Sequence, residues 1–274
     1  MRKSVLSALA KAPALLKVRA ERRKLAREYF EVTNLELGLG TLDPAHDGLV
    51  IAQLSDLHIG TGVPNSRILA AVEAVNSLKP DLVVLTGDFL TYKFDKAALV
   101  PELLAGLKIP SVAVLGNHDH WSHPVALRRG LGKLDIPVLQ NENTTLWLKG
   151  APFTVVGVDD STTKNDDVHK AFQGARAGSR LVLTHTPSAA KKLPEDHDLL
   201  CLSGHTHGGQ WDVPKLTEGF FKKMGQPWYR GYYRVNGNQL YVNRGLGYGK
   251  GTRLPRLNSD PELSLLKLRR LEPR

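Results

Sequence analysis

From Gly48 onward, short apolar runs alternate with stretches of helical periodicity. Leu49-Val50-Ile51-Ala52 reads as a buried strand ending at Ser55-Asp56, since an unbroken apolar run suits a strand covered on both faces. Ser66 to Lys79 carries Ile68, Leu69, Val72, Val75 and Leu78 at helical spacing, capped by Asn65 or Ser66 and stopped before Pro80. Leu82 to Leu85 is the next strand, ending at Gly87-Asp88. Residues 96–107 have a helical pattern interrupted by Pro101, and Val112 to Leu115 is a third strand ending at Gly116-Asn117-His118-Asp119. This β-α-β-α-β rhythm predicts an α/β protein with a parallel sheet covered by helices. The second half is richer in strands: Thr145–Leu148, Phe153–Val158, Leu181–Thr184 and Leu199–Leu202. Asn236-Gly237 signals a hairpin between Tyr232–Val235 and Gln239–Val242, and Glu262–Leu268 alternates like a half-buried closing strand. No repeat, low-complexity tract or linker divides residues 40–274, which read as one domain.

Residues 1–30 follow a different pattern. Val5, Leu9, Ala12 and Leu16, and then Val18, Leu25 and Tyr29, mark one apolar helical face surrounded by Lys and Arg, with Pro13 as a kink. Net charge sharpens the contrast. The chain carries +10, and this leader holds nine Lys and Arg against two Glu, a balance of +7 that leaves +3 for residues 31–274. A nucleic-acid enzyme would spread its excess around a groove in the folded body. Three readings of the leader stay open: a helix lying in an anionic membrane surface, a helix docked on the body, and a targeting peptide. The first implies a cytoplasmic protein held peripherally at the inner face of the cell membrane.

Composition narrows the classes further. Hydrophobic residues make up 42% and charged residues 23% of the 274, which is globular rather than disordered. The single cysteine, Cys201, rules out an intrachain disulfide framework and a thiolate metal cluster, and its apolar neighbours place it in the core. No uncharged apolar run approaches the ~18 residues of a membrane span.

The ends of the apolar runs collect the chemistry. Asp56-Leu57-His58 follows the first strand, Asp88 the second and Asn117-His118-Asp119 the third; His185 and Gly204-His205-Thr206-His207 follow later strands. Ligand sites of open α/β sheets form at such carboxyl ends. One histidine alone is most simply structural, but five of the ten, with two Asp and an Asn, point to a mixed oxygen and nitrogen metal site. A carboxylate between two cations can bridge them, and a pair of cations suits a phosphate ester because attacking and leaving oxygens both gain charge.

These motifs, Asp56-Leu57-His58, Gly87-Asp88, Gly116-Asn117-His118-Asp119, His185 and Gly204-His205-Thr206-His207, closely resemble those of the calcineurin-like metallophosphoesterases. The resemblance implies two stacked mixed β-sheets flanked by helices, and two divalent metal ions, Mn²⁺ favoured with Fe or Zn²⁺ as alternatives. It assigns Asp56, His58, Asp88 and His207 to one metal and Asp88, Asn117, His185 and His205 to the other. His118 corresponds to the catalytic histidine, acting with a metal-bridging hydroxide. Many members carry Asp where this chain has Thr91, and that Asp orients the histidine. A threonine hydroxyl holds a tautomer but does not stabilise an imidazolium as a carboxylate does; Asp119 is a substitute, or else a loop cap. Gly208-Gly209-Gln210 and Tyr241 to Gly247 resemble the small membrane-associated bacterial branch that includes UDP-2,3-diacylglucosamine pyrophosphatases of lipid A synthesis.

Smaller features complete the reading. Gly245 to Gly251 does not fit a phosphate loop, because Arg244 stands where the first Gly belongs. Arg244, Lys250 or Arg253 is a candidate phosphate contact beside the site, and His120, Trp121 and His123 are candidate substrate contacts. Asp159-Asp160 reads as a turn or helix cap, with lining of the pocket as the alternative, while His46, His169 and His197 default to solvated loops. Phe220, Phe221, Trp228, Tyr229, Tyr232 and Tyr233 pack on the sheet or flank a lipid or base. The expected function is hydrolysis of a phosphodiester or pyrophosphate, on a membrane-lipid precursor if the branch holds. The alternatives are a phosphodiesterase or nuclease acting on soluble nucleotides or nucleic acid, and a non-catalytic binding module on the same scaffold, whose mark would be lost ligands; none of the seven ligand positions is missing.

Overall fold

The computed structural model describes residues 29–271 apart from residues 61, 92–95, 196 and 250–255. Residues 1–28 of the leader, together with Lys250 and Arg253, lie outside the described residues. Twelve strands form two six-stranded sheets. In the first, β1 (Glu31–Leu39), β12 (Glu262–Arg270), β2 (Val50–Leu54), β3 (Leu82–Thr86), β4 (Ser111–Val114) and β5 (Val138–Leu139) lie in that order. All its neighbours are parallel except β12 against β2. In the second, the order is β10 (Gly231–Val235), β11 (Asn238–Val242), β9 (Leu200–Ser203), β8 (Arg180–Leu183), β7 (Ala151–Gly157) and β6 (Glu142–Leu148). The two end pairs are antiparallel hairpins and the interior pairs are parallel.

The apolar runs are continuous because each inner strand serves two cores. In β3, Leu82 and Val84 face the second sheet, while Val83 and Leu85 face the helices. In β9, Leu200 and Leu202 enter the layer between the sheets, whereas Cys201 faces outward into the other core. Helices α1 (Asn65–Leu78), α2 (Leu99–Leu104), α3 (Asn117–Ser122) and α4 (Pro124–Gly132) follow strands of the first sheet, with Ile68, Val72, Val75, Leu127 and Leu131 in the core that also holds Val83 and Leu85. Over the second sheet lie α5 (Val168–Phe172) and a 3-10 turn (Pro187–Lys192), which bury Ala171, Ala189 and Ala190. The molecule is therefore a four-layer stack of helices, sheet, sheet and helices, as the resemblance implies. Each fully buried Leu or Val contributes about 1.5–3 kcal/mol.

Differences from the sequence reading have local causes. Helix α1 has Pro64 at its N-cap, so Asn65 and Ser66 are already helical, and it ends at Lys79 in the left-handed conformation (φ 50°) just before Pro80. The helix expected over 96–107 spans only six residues, with Pro101 in its first turn where a missing N–H costs nothing. Residues 31–39, unassigned by the pattern, form β1 along β12. His46 does not lie in a solvated loop: it is fully buried, with Nδ1 bonded to Ser179 Oγ (2.7 Å) and Nε2 to the Leu148 carbonyl (3.1 Å).

One polar cluster joins the sheets near their shared end. Buried Glu262 of β12 accepts from the Tyr241 hydroxyl (2.5 Å) of β11, the Ser264 hydroxyl (2.9 Å), and Arg244 through its backbone N–H (2.9 Å) and Nε (3.0 Å). Burial alone would raise the Glu262 carboxyl, but Arg244 and Tyr241 outweigh it and hold it below the ordinary range. Glu262→Ala leaves the guanidinium half-paired and should cost about 3–5 kcal/mol in urea unfolding. Tyr241→Phe removes one charge-assisted bond and should cost about 1.5–3 kcal/mol.

Candidate metal centre

The carboxyl ends of β2, β3, β4, β8 and β9 meet at one edge of the stack, and the turns that leave them are unusually constrained. Asp56 (φ 51°), His58 (φ 46°), Asp88 (φ 54°), His205 (φ 74°) and His207 (φ 51°) all occupy the left-handed region, which non-glycine residues seldom adopt. Backbone bonds lock them there. Asp56 N–H donates to the Gly87 carbonyl (2.9 Å) and His58 N–H to the Asp88 carbonyl (3.0 Å). Asp88 Oδ1 accepts the His118 N–H (2.9 Å), and the Asp56 carboxylate accepts the His205 N–H (3.1 Å). Two glycines are obligatory for space: an added Cβ at Gly116 would run into the Asp88 carboxylate, and one at Gly204 into Ser55 Oγ and the Asp56 carboxylate.

The structure brings six of the seven predicted ligand positions together as two groups that could each hold a metal ion, Asp56, His58 and His207, and Asp88, His185 and His205, and places the seventh, Asn117, against His205 of the second group. Asp88 Oδ2 stands between them, 3.6 Å from His58 Nε2 and 3.1 Å from His185 Nε2. His207 Nε2 lies 3.1 Å from His58 Nε2 and 3.5 Å from Asp56 Oδ1. In the other group, His205 Nδ1 is 3.2 Å from His185 Nε2 and 2.9 Å from Asn117 Oδ1. Ring nitrogens converging with carboxylate oxygens, and no sulfur, suit borderline divalent cations. Outer partners fix the rings: His185 Nδ1 donates to the Thr86 carbonyl (2.7 Å), and His58 Nδ1 bonds Thr91 Oγ1 (2.7 Å).

Electrostatics follow from burial and proximity. Burial works against the Asp88 anion, but His185 and His58 outweigh it and hold Asp88 well below the usual carboxylate range. Burial likewise disfavours the His185 cation, yet Asp88 and Asp56 lift it to about 10. Burial lowers His58 to about 3, His205 to about 4 and His207 well below the ordinary value. Asp56 is pushed up to about 6, by burial first and then by the charge of Asp88, against the opposing pull of His185.

His118 stands at the rim. It is 8% exposed, its ring meets His58 and Trp121 edge-on at 5.1 Å, and its Nδ1 donates to the Thr91 carbonyl (3.2 Å). Thr91 thus serves two histidines, with its hydroxyl on His58 and its carbonyl on His118. Asp119 is a loop cap, accepting from the Leu90 and Gly116 N–H groups (3.0 Å each), and burial pushes it up to about 7. Of the substrate-contact candidates, Arg244 is engaged elsewhere, by Glu262 and by Glu31 (2.7 Å). His120 is one helical turn beyond Asn117 and bonded to Asp159 (2.7 Å), while Arg253 lies outside the described residues. Asp160 caps its turn, accepting from Thr163 N–H and the Thr186 hydroxyl.

Sequence reasoning missed Arg256. Its guanidinium donates to His207 Nδ1 (3.2 Å), the Gly247 carbonyl and the Ser259 carbonyl (3.2 Å), and burial lowers it to about 10. The only signal was its place just after the glycine-rich loop, whose Leu246 and Gly247 N–H groups bond the backbone of Ser55 and Asp56.

Comparison with known proteins identifies the chain's relatives. The family described as calcineurin-like phosphoesterase matches residues 49–209. An uncharacterized metallophosphoesterase of Bacillus subtilis, YkuE, is 32% identical over 259 residues, covering 90% of this chain and 88% of that one. The phosphodiesterase YaeI of Escherichia coli is 31% identical, covering 78% and 80%. The UDP-2,3-diacylglucosamine pyrophosphatase LpxG of Chlamydia muridarum is 26% identical, covering 96% and 95%.

Ligands must be deprotonated to hold a cation, so cation affinity should rise with pH. With His185 raised to about 10 and the other rings neutral, loading near neutral-to-alkaline pH should release about one proton per chain. Below Asp56's value of about 6 the release should approach two, and affinity should fall more steeply. Calorimetric titration of Mn²⁺ in buffers of different ionisation enthalpy counts those protons. His185→Asn should remove the alkaline component.

Proposed function

The chain belongs to the calcineurin-like phosphoesterase family, and from that premise we propose a dinuclear hydrolase that cleaves a phosphodiester or pyrophosphate bond on a lipid-linked substrate. The observation that carries this reading is the Asp88 carboxylate, which faces both ligand groups through one oxygen while its other oxygen accepts the His118 N–H. One residue thereby ties the two cation positions to the catalytic candidate. Two divalent cations held there would neutralise phosphoryl charge and bring a water's pKa toward neutrality. Mn²⁺ is the first candidate, as the family resemblance implies, for a donor set of four imidazoles and three oxygen ligands, with Fe and Zn²⁺ next.

The chain's own residues do the rest. Asp56, His58 and His207, and Asp88, Asn117, His185 and His205, hold the cations. His118 meets the substrate: the Thr91 carbonyl holds its Nδ1 proton, so Nε2 is the atom we assign to a phosphoryl oxygen or leaving group. A carbonyl orients the ring without stabilising its cation as a carboxylate would, so contact and polarisation outweigh strong acid catalysis here. For the substrate, support comes from LpxG, similar over nearly the whole chain, and from a +7 leader suited to an anionic membrane surface. A nuclease is the weaker reading, because the basic excess lies in the leader rather than the body.

Asp88→Ala should hold fewer than two metal ions per chain by elemental analysis and lose hydrolysis. His118→Ala should keep both ions while kcat falls roughly 10²–10⁴-fold; loss of metal in that variant would make His118 a ligand. Assays of a soluble aryl phosphodiester, a bilayer-embedded UDP-linked diacylglucosamine and single-stranded DNA decide the substrate class. Turnover of DNA above the lipid substrate would favour the nuclease.

A further inference from the structure

We propose that the face bearing the mouth of the metal centre docks on an anionic lipid surface, with α6 (Leu216–Lys223) as its apolar wedge; the substrate side of this inference rests on the lipid-linked reading above. Helix α6 is fixed to the metal motif by its inner side. Thr217 is buried, and its hydroxyl accepts from Val213 N–H (2.9 Å) and donates to the Trp211 carbonyl (3.1 Å). Its methyl fills the space over Gly209, where an added Cβ would lie 2.5 Å from Thr217 Cγ2. Phe221 stacks on Tyr229 (5.3 Å between centroids), whose carbonyl accepts the Thr206 hydroxyl (2.6 Å) inside the His205-Thr206-His207 turn.

The outer side is apolar and faces solvent. Leu216 is 72% exposed, Phe220 57% and Met224 60%, and their spacing of four places them in one row. Packing on the sheet, the simpler expectation for Phe220, therefore does not account for it. Single exposed apolar side chains are ordinary, but a row of three along a short helix and its C-cap residue is a contact surface. Its flanks are basic. Lys215, Lys222 and Lys223 stand against Glu218 alone, which is itself paired with Lys222 (2.7 Å). An apolar row edged by lysines is the composition of interfacial helices, and it is complementary to acidic headgroups rather than to a neutral protein patch.

An independent feature selects the same face. Glu31, at the start of β1, is paired with Glu262 at the start of β12, and β12 runs antiparallel to β2. The chain therefore enters the body at the end where the β2 turn carries Asp56 and His58. The +7 leader precedes that point in the sequence, so it joins the body at the end that carries Asp56 and His58.

The test compares the full chain with Leu216→Glu/Phe220→Glu, neither position touching the ligand set. Both are sedimented with phosphatidylglycerol-containing vesicles and with pure phosphatidylcholine vesicles, at low and high salt. The variant should bind anionic vesicles at least about tenfold more weakly while hydrolysis of a soluble aryl phosphodiester is unchanged. Equal binding by the two proteins, or equal binding to both vesicle types, overturns the proposal. A second probe does not depend on those charges. Cys201 is buried, so Phe220→Cys takes an environment-sensitive fluorophore at one site. Its emission should shift to the blue on anionic vesicles alone; no shift, or a blue-shifted emission already present in solution that leader deletion abolishes, means another occupant and overturns the proposal. If no phosphodiester is cleaved while docking holds, the hydrolase reading fails and the surface stands.

Discussion

Two carboxylates, Asp56 and Asp88, are buried among histidine rings, and the protein is arranged so that their repulsion does not open the seam between the sheets. Asp88 raises Asp56, while His185, reached from the second sheet, opposes that effect and pairs with Asp88. The cationic partner of a first-sheet carboxylate thus comes from the opposite layer. Backbone N–H groups of His118 and His205 supply further compensation across the turns. Close approach of these turns requires bare backbone at Gly116 and Gly204, so the stacking of two apolar layers and the collection of charge at their edge are one constraint.

What could be read along the chain depended on how local its cause was. The inner strands were legible because both their faces are buried, which leaves an unbroken apolar run; β1 was not, because only Leu37 and Leu39 are buried and the rest of its face is partly solvated. Each candidate ligand announced itself by following such a run. His46 gave no signal, since Ser179 and Leu148 are 133 and 102 residues away. Arg256 was equally silent, because its contact with His207 spans 49 residues and no local pattern encodes it.

Thr91 shows how a departure from the family pattern is absorbed. The position that carries a carboxylate in many members here divides its work between side chain and main chain, the hydroxyl turning to His58 and the carbonyl to His118. Orientation of His118 survives the exchange because a carbonyl accepts the ring N–H hydrogen bond in the same geometry as a carboxylate would. Charge does not survive it. The carbonyl orients the ring without stabilising an imidazolium as a carboxylate would.

The placement of β12 has a consequence for the order in which the protein is made. This strand lies between β1 and β2, and its Arg269 is joined to Glu36 across 233 residues of sequence. During synthesis the first sheet therefore keeps an open slot until nearly all of the described chain has emerged. The turn bearing Asp56 leans on the Gly245–Gly247 backbone that leads into that strand, so it too waits. Long-range closure of this kind is slow relative to local helix formation. The basic leader, by contrast, precedes every strand of both sheets in the sequence, so it is made before any of them.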